Sequence, residues 1–600
     1  MFQSFTETAP PEQGPARLAA LRALLKHENL TGFLVPRADA YQGEYVAPHD
    51  ARLSWLSGFT GSAGFCAVLP EIAGVFIDGR YRTQVKSQVD LAHFTPVPWP
   101  DVALLDWLKT HAPDNAVIGF DAWLHTAKEI ETLETGLRDT TITLRPCGNL
   151  VDMIWADQPD PPLGKISAYP VELAGESHVD KRARLAKSLR DSGHKSAVIT
   201  LPDSIAWLLN IRGSDIERNP VPHAFAILHD NAHLTLFVDP AKCDDILRAH
   251  LGPDITTRPC PAFGAALRSL LGPVRIDKNS APIWVRHQLD EAQVAYTWVD
   301  DPCVLPKATK TGAEIAATTE AHQRDAAAMC EFLTWFDAQP AGSTTEIDIV
   351  TRLEGYRRAT NALRDISFET IAGSGPNGAI MHYRVTEQSN RTLQNGDLIV
   401  VDSGGQYIDG TTDITRTLPV GDVGEEEKTA FTRVLQGMIA ISRARFPVGL
   451  TGRDLDPLAR YPLWLAGLDF NHGTGHGVGV YLCVHEGPQR IARISEVKLQ
   501  PGMILSNEPG YYREGAFGIR IENLIVTQAA RDLAGADDRE MLDFQTLTYV
   551  PIDRRLIIAE MLSTAERAWL NTYHKKCCDM IGPRLGDAAR LWLQSATAPL

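Results

Sequence analysis

Nowhere in these 600 residues do about 20 apolar side chains run together, the length that a membrane-spanning helix requires. The first thirty residues, MFQSFTETAPPEQGPARLAALRALLKHENL, lack both the charged start and the continuous apolar stretch of a secretory signal, so a cytoplasmic protein with no membrane partner is expected. Cationic side chains are in deficit as well. Lys and Arg number 58 against 74 Asp and Glu, a formal charge of −16, and no basic run offsets it. Such a surface repels phosphate backbones and anionic lipid at long range, which argues against a nucleic-acid partner. Cysteine is sparse and unpatterned: Cys66, Cys147, Cys243, Cys260, Cys303, Cys330, Cys483, Cys577 and Cys578 are widely scattered and never form a CxxC pair. Reduced thiols are expected, and the adjacent Cys577 and Cys578, without a His or Cys at ligand spacing, read as packing.

What is present is ordinary core material, 44 % hydrophobic and 22 % charged, in a chain long enough for several domains. The stretch ADQPDPPLG, Ala156 to Gly164, disfavours helix and strand alike and reads as a linker. A second break is expected at DPCVLPKATKTG, residues 301–312. There Thr311 and Glu314 form a capping-box pattern that opens a long helix with Ile315, Thr319, His322, Ala326, Met329, Leu333 and Phe336 on one face. His322 in that stripe reads as a packed, hydrogen-bonded histidine. The segments before the second break resemble each other: WLSGFTG at Trp55 and WLLNIRG at Trp207 are each followed by two apolar, strand-like runs. Two related α/β domains are therefore predicted, residues 1–156 and 165–303, followed by a third over 307–600. Its last 50 or so residues, from about Pro551, form a helix-rich tail suited to packing or dimer contact.

Within the third domain four unusual phrases follow in order: VVDSGGQYIDGTTDITRT, HGTGHGVG, SNEPGYY and GIRIEN. Asp402 ends an apolar strand opened by Asn395 and Gly396, and Asp413 stands near the start of another. The glycine-rich turn between them lets the two aspartates meet across neighbouring strands. Alternation in GIRIENLIV sends Arg520, Glu522 and Leu524 to one face, although Asn523 then falls among the isoleucines. Glu508 ends a strand before a Pro-Gly turn. HGTGHGVG is too glycine-rich for a helix, and its extended form puts His472, Thr474 and His476 on one face, with backbone free to approach a metal or substrate. His485 follows in VHEGP, and His382 precedes the set in AIMHYR. GSGPNG, residues 373–378, lacks the Lys-Ser/Thr of a phosphate loop and reads as a turn.

Each phrase alone is weak. Together they gather carboxylates whose mutual burial costs several kcal/mol unless cations are present. Asp402, Asp413, Glu508 and Glu522 with His476 make a hard, oxygen-rich set that suits Mn, Fe, Co or catalytic Zn. Two divalent ions balance four carboxylates, and a water shared between them would have its pKa lowered towards neutrality.

On these phrases, with SGFTGSAGF and DGRY in the first segment, KATKTGAEIAATTEAHQRDAAAM at the start of the third and LTYVPIDRRLI in the tail, the chain resembles the long, three-domain Xaa-Pro aminopeptidases (aminopeptidase P) of the pita-bread metallopeptidases. The resemblance implies two creatinase-like α/β domains before a pita-bread catalytic domain, and a homodimer. It implies Asp402, Asp413, His476, Glu508 and Glu522 as ligands, with Asp413 and Glu522 bridging two ions, most often Mn²⁺, although Zn²⁺, Co²⁺ or Fe²⁺ would also suit. The water shared by the ions would attack the bond preceding proline in peptides that begin Xaa-Pro. Glu508 would be the general base. His382 and His485 would flank the scissile carbonyl, His472 would line the proline pocket, and Arg520 is counted with the substrate-binding set. Two alternatives stand beside this reading. One is a prolidase, restricted to dipeptides, for which Arg490 in GPQRIAR could bind the free carboxylate; the other is a non-catalytic pita-bread module that binds peptides or proteins.

Overall fold

The computed structural model describes residues 1–7 and 11–600. They form two compact units, Thr8–Lys307 and Ala308–Leu600, the second of which also includes Met1–Glu7.

The first unit holds the duplication read from the sequence. Strands β1 (Gly32–Pro36), β2 (Phe65–Val68), β3 (Ala73–Ile77), β4 (Thr95–Pro98), β5 (Val117–Phe120) and β6 (Thr143–Pro146) lie in the order β4-β3-β2-β1-β5-β6. Strands β7 (Ser196–Ile199), β8 (Phe225–His229), β9 (Leu234–Phe237), β10 (Ile255–Arg258), β11 (Val274–Ile276) and β12 (Tyr296–Trp298) repeat it as β10-β9-β8-β7-β11-β12. Strand directions match too: β1–β2 and β2–β3 are antiparallel and β3–β4, β1–β5 and β5–β6 parallel, as are their counterparts in the second sheet. The WLSGFTG and WLLNIRG phrases occupy equivalent places, each closing a short helix, Arg52–Ser57 and Pro202–Leu209. The two sheets share apolar contacts, among them Trp123 stacked on Trp284 with ring centroids 3.8 Å apart. Residues 158–166 between the repeats adopt neither helix nor strand, as three prolines require.

The second break carries a short helix, Val304–Ala308. Its buried Lys307 pairs with Asp203 at 2.8 Å. The long helix then starts where Thr311 and Glu314 predicted, at Gly312, with both capping-box hydrogen bonds made, and runs to Asp337. His322 is buried in it and bonds through Nδ1 to the Thr318 carbonyl at 2.7 Å, a packed histidine as read.

In the second unit, β13 (Ile371–Ser374), β14 (Leu398–Ser403) and β15 (Ile414–Pro419) form one antiparallel sheet. A six-stranded sheet runs β16-β23-β22-β19-β17-β18, where β16 is Phe446–Pro447, β17 Gly475–Gly477, β18 Glu486–Ile491, β19 Ile504–Asn507, β22 Asn523–Ala529 and β23 Met541–Thr546. A hairpin of β20 (Gly510–Arg513) and β21 (Phe517–Arg520) stands between β19 and β22 in sequence. GIRIENLIV is thus two strands and not one: β21 pairs in the hairpin, β22 pairs with β19, and the chain breaks at Ile521 and Glu522. That break is the reason Asn523 was out of phase. GSGPNG forms the end of β13 and a single 3-10 turn, Gly375–Ala379.

The tail packs, as one of the two expected uses required. Helix Thr564–Ile581 places Leu570, Tyr573 and Cys577 in the core cluster that also holds Ile399, Val401 and Ile414 of β14 and β15. Its anchor is Arg416 of β15, fully buried. The guanidinium donates to the carbonyls of Val550 and Pro551, to the Tyr573 hydroxyl and to the carbonyl of Glu522. All nine cysteines are free, and among the described residues no helix is long and apolar enough to cross a membrane.

Candidate metal centre

Asp402 is the fifth residue of β14, and Asp413 immediately precedes β15. The register sets Asp402 opposite Thr415 and Ser403 opposite Ile414, so the two aspartates meet across one hairpin. Glu522 occupies the break between β21 and β22, where β15 holds it by its backbone: its N–H donates to the Thr415 carbonyl at 3.1 Å and its own carbonyl accepts from Arg416 at 2.6 Å. Glu508 follows β19 directly, and its N–H donates to the Thr474 carbonyl at 2.8 Å.

Oxygen and nitrogen ligand atoms of Asp413, His476 and Glu522 all lie within 4.8 Å of one another. His476 Nε2 is 3.5 Å from Asp413 Oδ2 and 3.5 Å from Glu508 Oε1. Burial and the charges of Asp402 and Glu508 push the Asp413 carboxyl far above its usual range. Burial and the charges of Asp413, Glu508 and Asp402 do the same to Glu522. Glu508 is raised chiefly by burial, against the pull of His476 and Arg520. All five expected ligands are therefore neighbours, and as a protein-only cluster they repel.

Hydrogen bonding divides Asp402, Glu522 and His476 into a held side and an open side. Asp402 Oδ2 accepts from Arg520 at 2.6 Å and Glu522 Oε2 accepts from the Thr415 hydroxyl at 2.9 Å, whereas Asp402 Oδ1, Asp413 Oδ1 and Glu522 Oε1 are buried with no hydrogen-bond partner. His476 lies 2.8 Å through Nδ1 from the Gly477 carbonyl, which makes Nδ1 the protonated nitrogen and leaves the Nε2 lone pair facing the carboxylates. Orphaned buried carboxylate oxygens are rare and costly. Here they belong to residues gathered around an imidazole in the pattern that metal-binding histidines show, with the opposite nitrogen bonded to a carbonyl. The residues present fit divalent cations.

Around this set the other expected residues divide. His485 is next to His476, ring centroids 4.3 Å apart and nearly perpendicular. His382 is half-buried in the turn beside Met381, whose carbonyl accepts from Arg520 at 3.2 Å. His472 bonds through Nε2 to the Tyr512 hydroxyl at 2.9 Å and through Nδ1 to the Gly473 carbonyl. Arg520, expected to contact substrate, is instead 2 % exposed. It spends its guanidinium on Asp402, the Tyr512 hydroxyl at 2.5 Å, the Thr415 hydroxyl and the Met381 carbonyl, so it backs a carboxylate and does not face open space. Thr474, placed by alternation beside the two histidines, bonds to Asp456, whose partner Arg460 also holds the His472 carbonyl. Arg490 is exposed on β18.

Two glycines of HGTGHGVG are required by neighbouring strands. A Cβ on Gly475 would come within 1.9 Å of the Ser506 carbonyl oxygen, and one on Gly477 within 2.2 Å of that of Glu486. They admit neighbouring backbone. Tyr512 and Arg416 were not picked out from the sequence. An arginine in the middle of the otherwise uncharged strand ITRTLP was the available signal for Arg416; Tyr512 had none beyond its place in SNEPGYY.

Comparison with known proteins follows the same division of the chain. Residues 316–529 match the model of metallopeptidase family M24, residues 540–600 that of the C-terminal region of this peptidase, and residues 17–154 and 157–314 each match a creatinase/prolidase N-terminal domain. A "Probable Xaa-Pro aminopeptidase P" of Laccaria bicolor is 39 % identical, over 97 % of this chain and 93 % of that one. Aminopeptidase P1 of Lotus japonicus is 35 % identical over 97 % and 99 %. The crystal structure of an X-prolyl aminopeptidase from Caenorhabditis elegans, described as a cytosolic enzyme with a di-nuclear active site, superimposes with a TM-score of 0.94 at 32 % identity over 98 % of this chain and 100 % of that one. Dipeptidase PepE of Mycobacterium ulcerans, 24 % identical with a TM-score of 0.51 over 64 % of this chain and 98 % of its own, shares the fold.

The raised carboxyls set a pH dependence for the metal-free protein. Native values above the unfolded ones mean that the folded state binds more protons. The contribution of Asp413, Glu508 and Glu522 is then most favourable below the ordinary carboxylate range near ~4 and is lost as pH rises from there through their raised native values. In chelator-treated protein, the urea midpoint of an Asp413→Asn/Glu522→Gln variant should gain on wild type steadily from about pH 4 to neutrality; a difference that shrinks with pH would contradict the clustering.

Proposed function

This chain belongs to the Xaa-Pro aminopeptidase P group of metallopeptidase family M24, and we propose that it removes the first residue from peptides with proline in second position. It is a metallopeptidase of the pita-bread fold preceded by two creatinase-like domains. The observation that carries the reading is the cluster of Asp413, His476 and Glu522 ligand atoms within 4.8 Å of one another, beside buried carboxylate oxygens of Asp402, Asp413 and Glu522 that no hydrogen bond uses. Two divalent ions, when bound, supply an acidified water and polarise the substrate carbonyl.

Asp402, Asp413, His476, Glu508 and Glu522 are assigned as the residues that would hold the two ions. Mn²⁺ is the assigned metal, on the hardness of four carboxylates. Arg520 and Thr415 orient Asp402 and Glu522 by occupying one oxygen of each. Glu508 is assigned as the general base, which would take a proton from the attacking water and pass it to the leaving proline nitrogen. His485, beside His476, and His382, in the turn behind Arg520, are assigned to hydrogen-bond the carbonyl oxygen as charge develops there. His472 is assigned to the pocket for the proline ring. Its ring is fixed by Tyr512, which a shape-selective pocket requires, since proline nitrogen offers no N–H to recognise. Residues 1–156, 165–303 and 307–600 are taken as the three domains. A cytoplasmic location is supported by the cytosolic relative from Caenorhabditis elegans.

A homodimer is proposed on the helix Gly452–Trp464, where Leu458, Tyr461, Trp464 and the following Leu465 are all exposed. A surface helix with four large apolar groups in the open marks an interaction site. Sedimentation equilibrium should return the mass of two chains for wild type and of one for Tyr461→Glu/Leu465→Glu; a monomeric wild type would refute the proposal.

Metal-stripped protein should cleave Arg-Pro-Pro, releasing arginine, only after Mn²⁺ is restored. Cleavage of Arg-Pro alone would mean a dipeptidase, and cleavage of neither peptide a binding module. Glu508→Gln should lower kcat by about 10²–10⁴-fold in protein shown by metal analysis to be loaded; near-normal turnover would remove Glu508 from the base role.

A further inference from the structure

A second convergence of ligand atoms lies in the first compact unit and has no part in the peptidase reading. Asp39, Asp50 and His223 bring one carboxylate oxygen each and a ring nitrogen within 4.8 Å of one another. Asp39 follows β1 in the first repeat, Asp50 precedes the helix Arg52–Ser57, and His223 precedes β8 in the second repeat.

The same division into held and open atoms recurs. Asp39 Oδ1 accepts from the N–H groups of Tyr41 at 2.8 Å and Gly43 at 3.4 Å, while Oδ2, in a residue 1 % exposed, has no hydrogen bond. Asp50 Oδ1 accepts from Arg52 at 2.8 Å. His223, 5 % exposed, has Nε2 buried without a hydrogen bond, 3.3 Å from Asp39 Oδ2. Its ring is stacked on Tyr41 with centroids 4.1 Å apart, and its backbone N–H donates to Asp215 at 2.6 Å. Asp39 and His223 thus each keep a buried atom free of hydrogen bonds, while Arg52 orients Asp50, the kind of support that the surroundings of metal sites give.

Arg52 pairs with Asp50 and Asp152, and Lys242 with Asp215, while the ion-pair partner of Asp39 itself is His223, with Arg37 also within reach of its charge. The other repeat supplies a control. Asp203 lies seven residues after the start of β7, as Asp39 lies seven after the start of β1, and Asp203 has Lys307 at 2.8 Å. In the first repeat the group paired with Asp39 is the His223 imidazole, at 3.3 Å.

We infer that Asp39, Asp50 and His223 bind one divalent transition-metal ion, of the Zn²⁺ or Mn²⁺ class, which ties the first repeat to the second. Two carboxylates and one imidazole are a set such ions accept, with water completing the shell. A closed ion pair between Asp39 and His223 is the competing account, and metal stoichiometry separates the two. Full-length protein is stripped with chelator, equilibrated with Co²⁺, freed of excess and assayed for cobalt per chain by mass spectrometry. His223→Gln should hold one Co²⁺ fewer than wild type while still cleaving Arg-Pro-Pro. This loss is read as a difference, so it stands whether the peptidase centre binds two ions, one or none. Asp50→Asn, which keeps the shape that Arg52 contacts, provides the same comparison if His223→Gln does not fold. Equal cobalt in wild type and a folded variant would overturn the site and leave the ion pair.

Discussion

Repulsion among Asp402, Asp413, Glu508 and Glu522 is the force that the second compact unit is built to contain. Two unit charges ~4 Å apart oppose each other by about 4 kcal/mol even at the effective dielectric of a protein surface, and these four are buried against one another. Side chains answer only part of that charge. Arg520 neutralises one oxygen of Asp402, Thr415 bonds one of Glu522, and the remaining oxygens are left to converge. A scaffold that merely wanted stability would have placed apolar groups here, since replacing buried charges by hydrophobic ones is often neutral or better.

Rigidity is what the surroundings add. β15 carries Thr415 and Arg416 side by side. One orients the Glu522 carboxylate, and the other grips the Glu522 carbonyl together with Val550, Pro551 and Tyr573. The tail is thereby coupled to the Glu522 backbone through one buried guanidinium, which explains why a helical segment remote in sequence shares the core of β14 and β15. Arg460 does the equivalent for the histidine strand, tying the His472 carbonyl to Asp456 and Thr474. These buried arginines have planar, multi-donor heads able to satisfy several carbonyls at once, which a lysine could not.

The first unit shows how duplication and divergence share a frame. Both six-stranded sheets have the same order and the same strand directions, yet the acidic residue after the first strand of each meets different company: Lys307 for Asp203, a carboxylate and an imidazole for Asp39. Identical topology preserves where the backbone ends and leaves the charge balance at that end free to change. A cation between the repeats would supply from solvent what Lys307 supplies covalently.

Local sequence determined a good deal. The capping box at Thr311 set the start of the long helix, the prolines of residues 158–166 kept the linker irregular, and the order of short phrases picked out the carboxylates and histidines that the fold brings together, because strand-end aspartates and extended histidines are consequences of near-neighbour sterics. What lay beyond it was whatever depends on residues far apart meeting. The break at Ile521 and Glu522 arises because β21 and β22 pair with different strands. The glycines of the histidine phrase answer to carbonyls of β18 and β19, and Arg520 turned from an expected substrate contact into the support of Asp402 because the hairpin folds it behind β14. Periodicity reports which face a side chain takes; only the packed structure decides what stands opposite that face, and so whether a charge binds a ligand, a metal or another side chain.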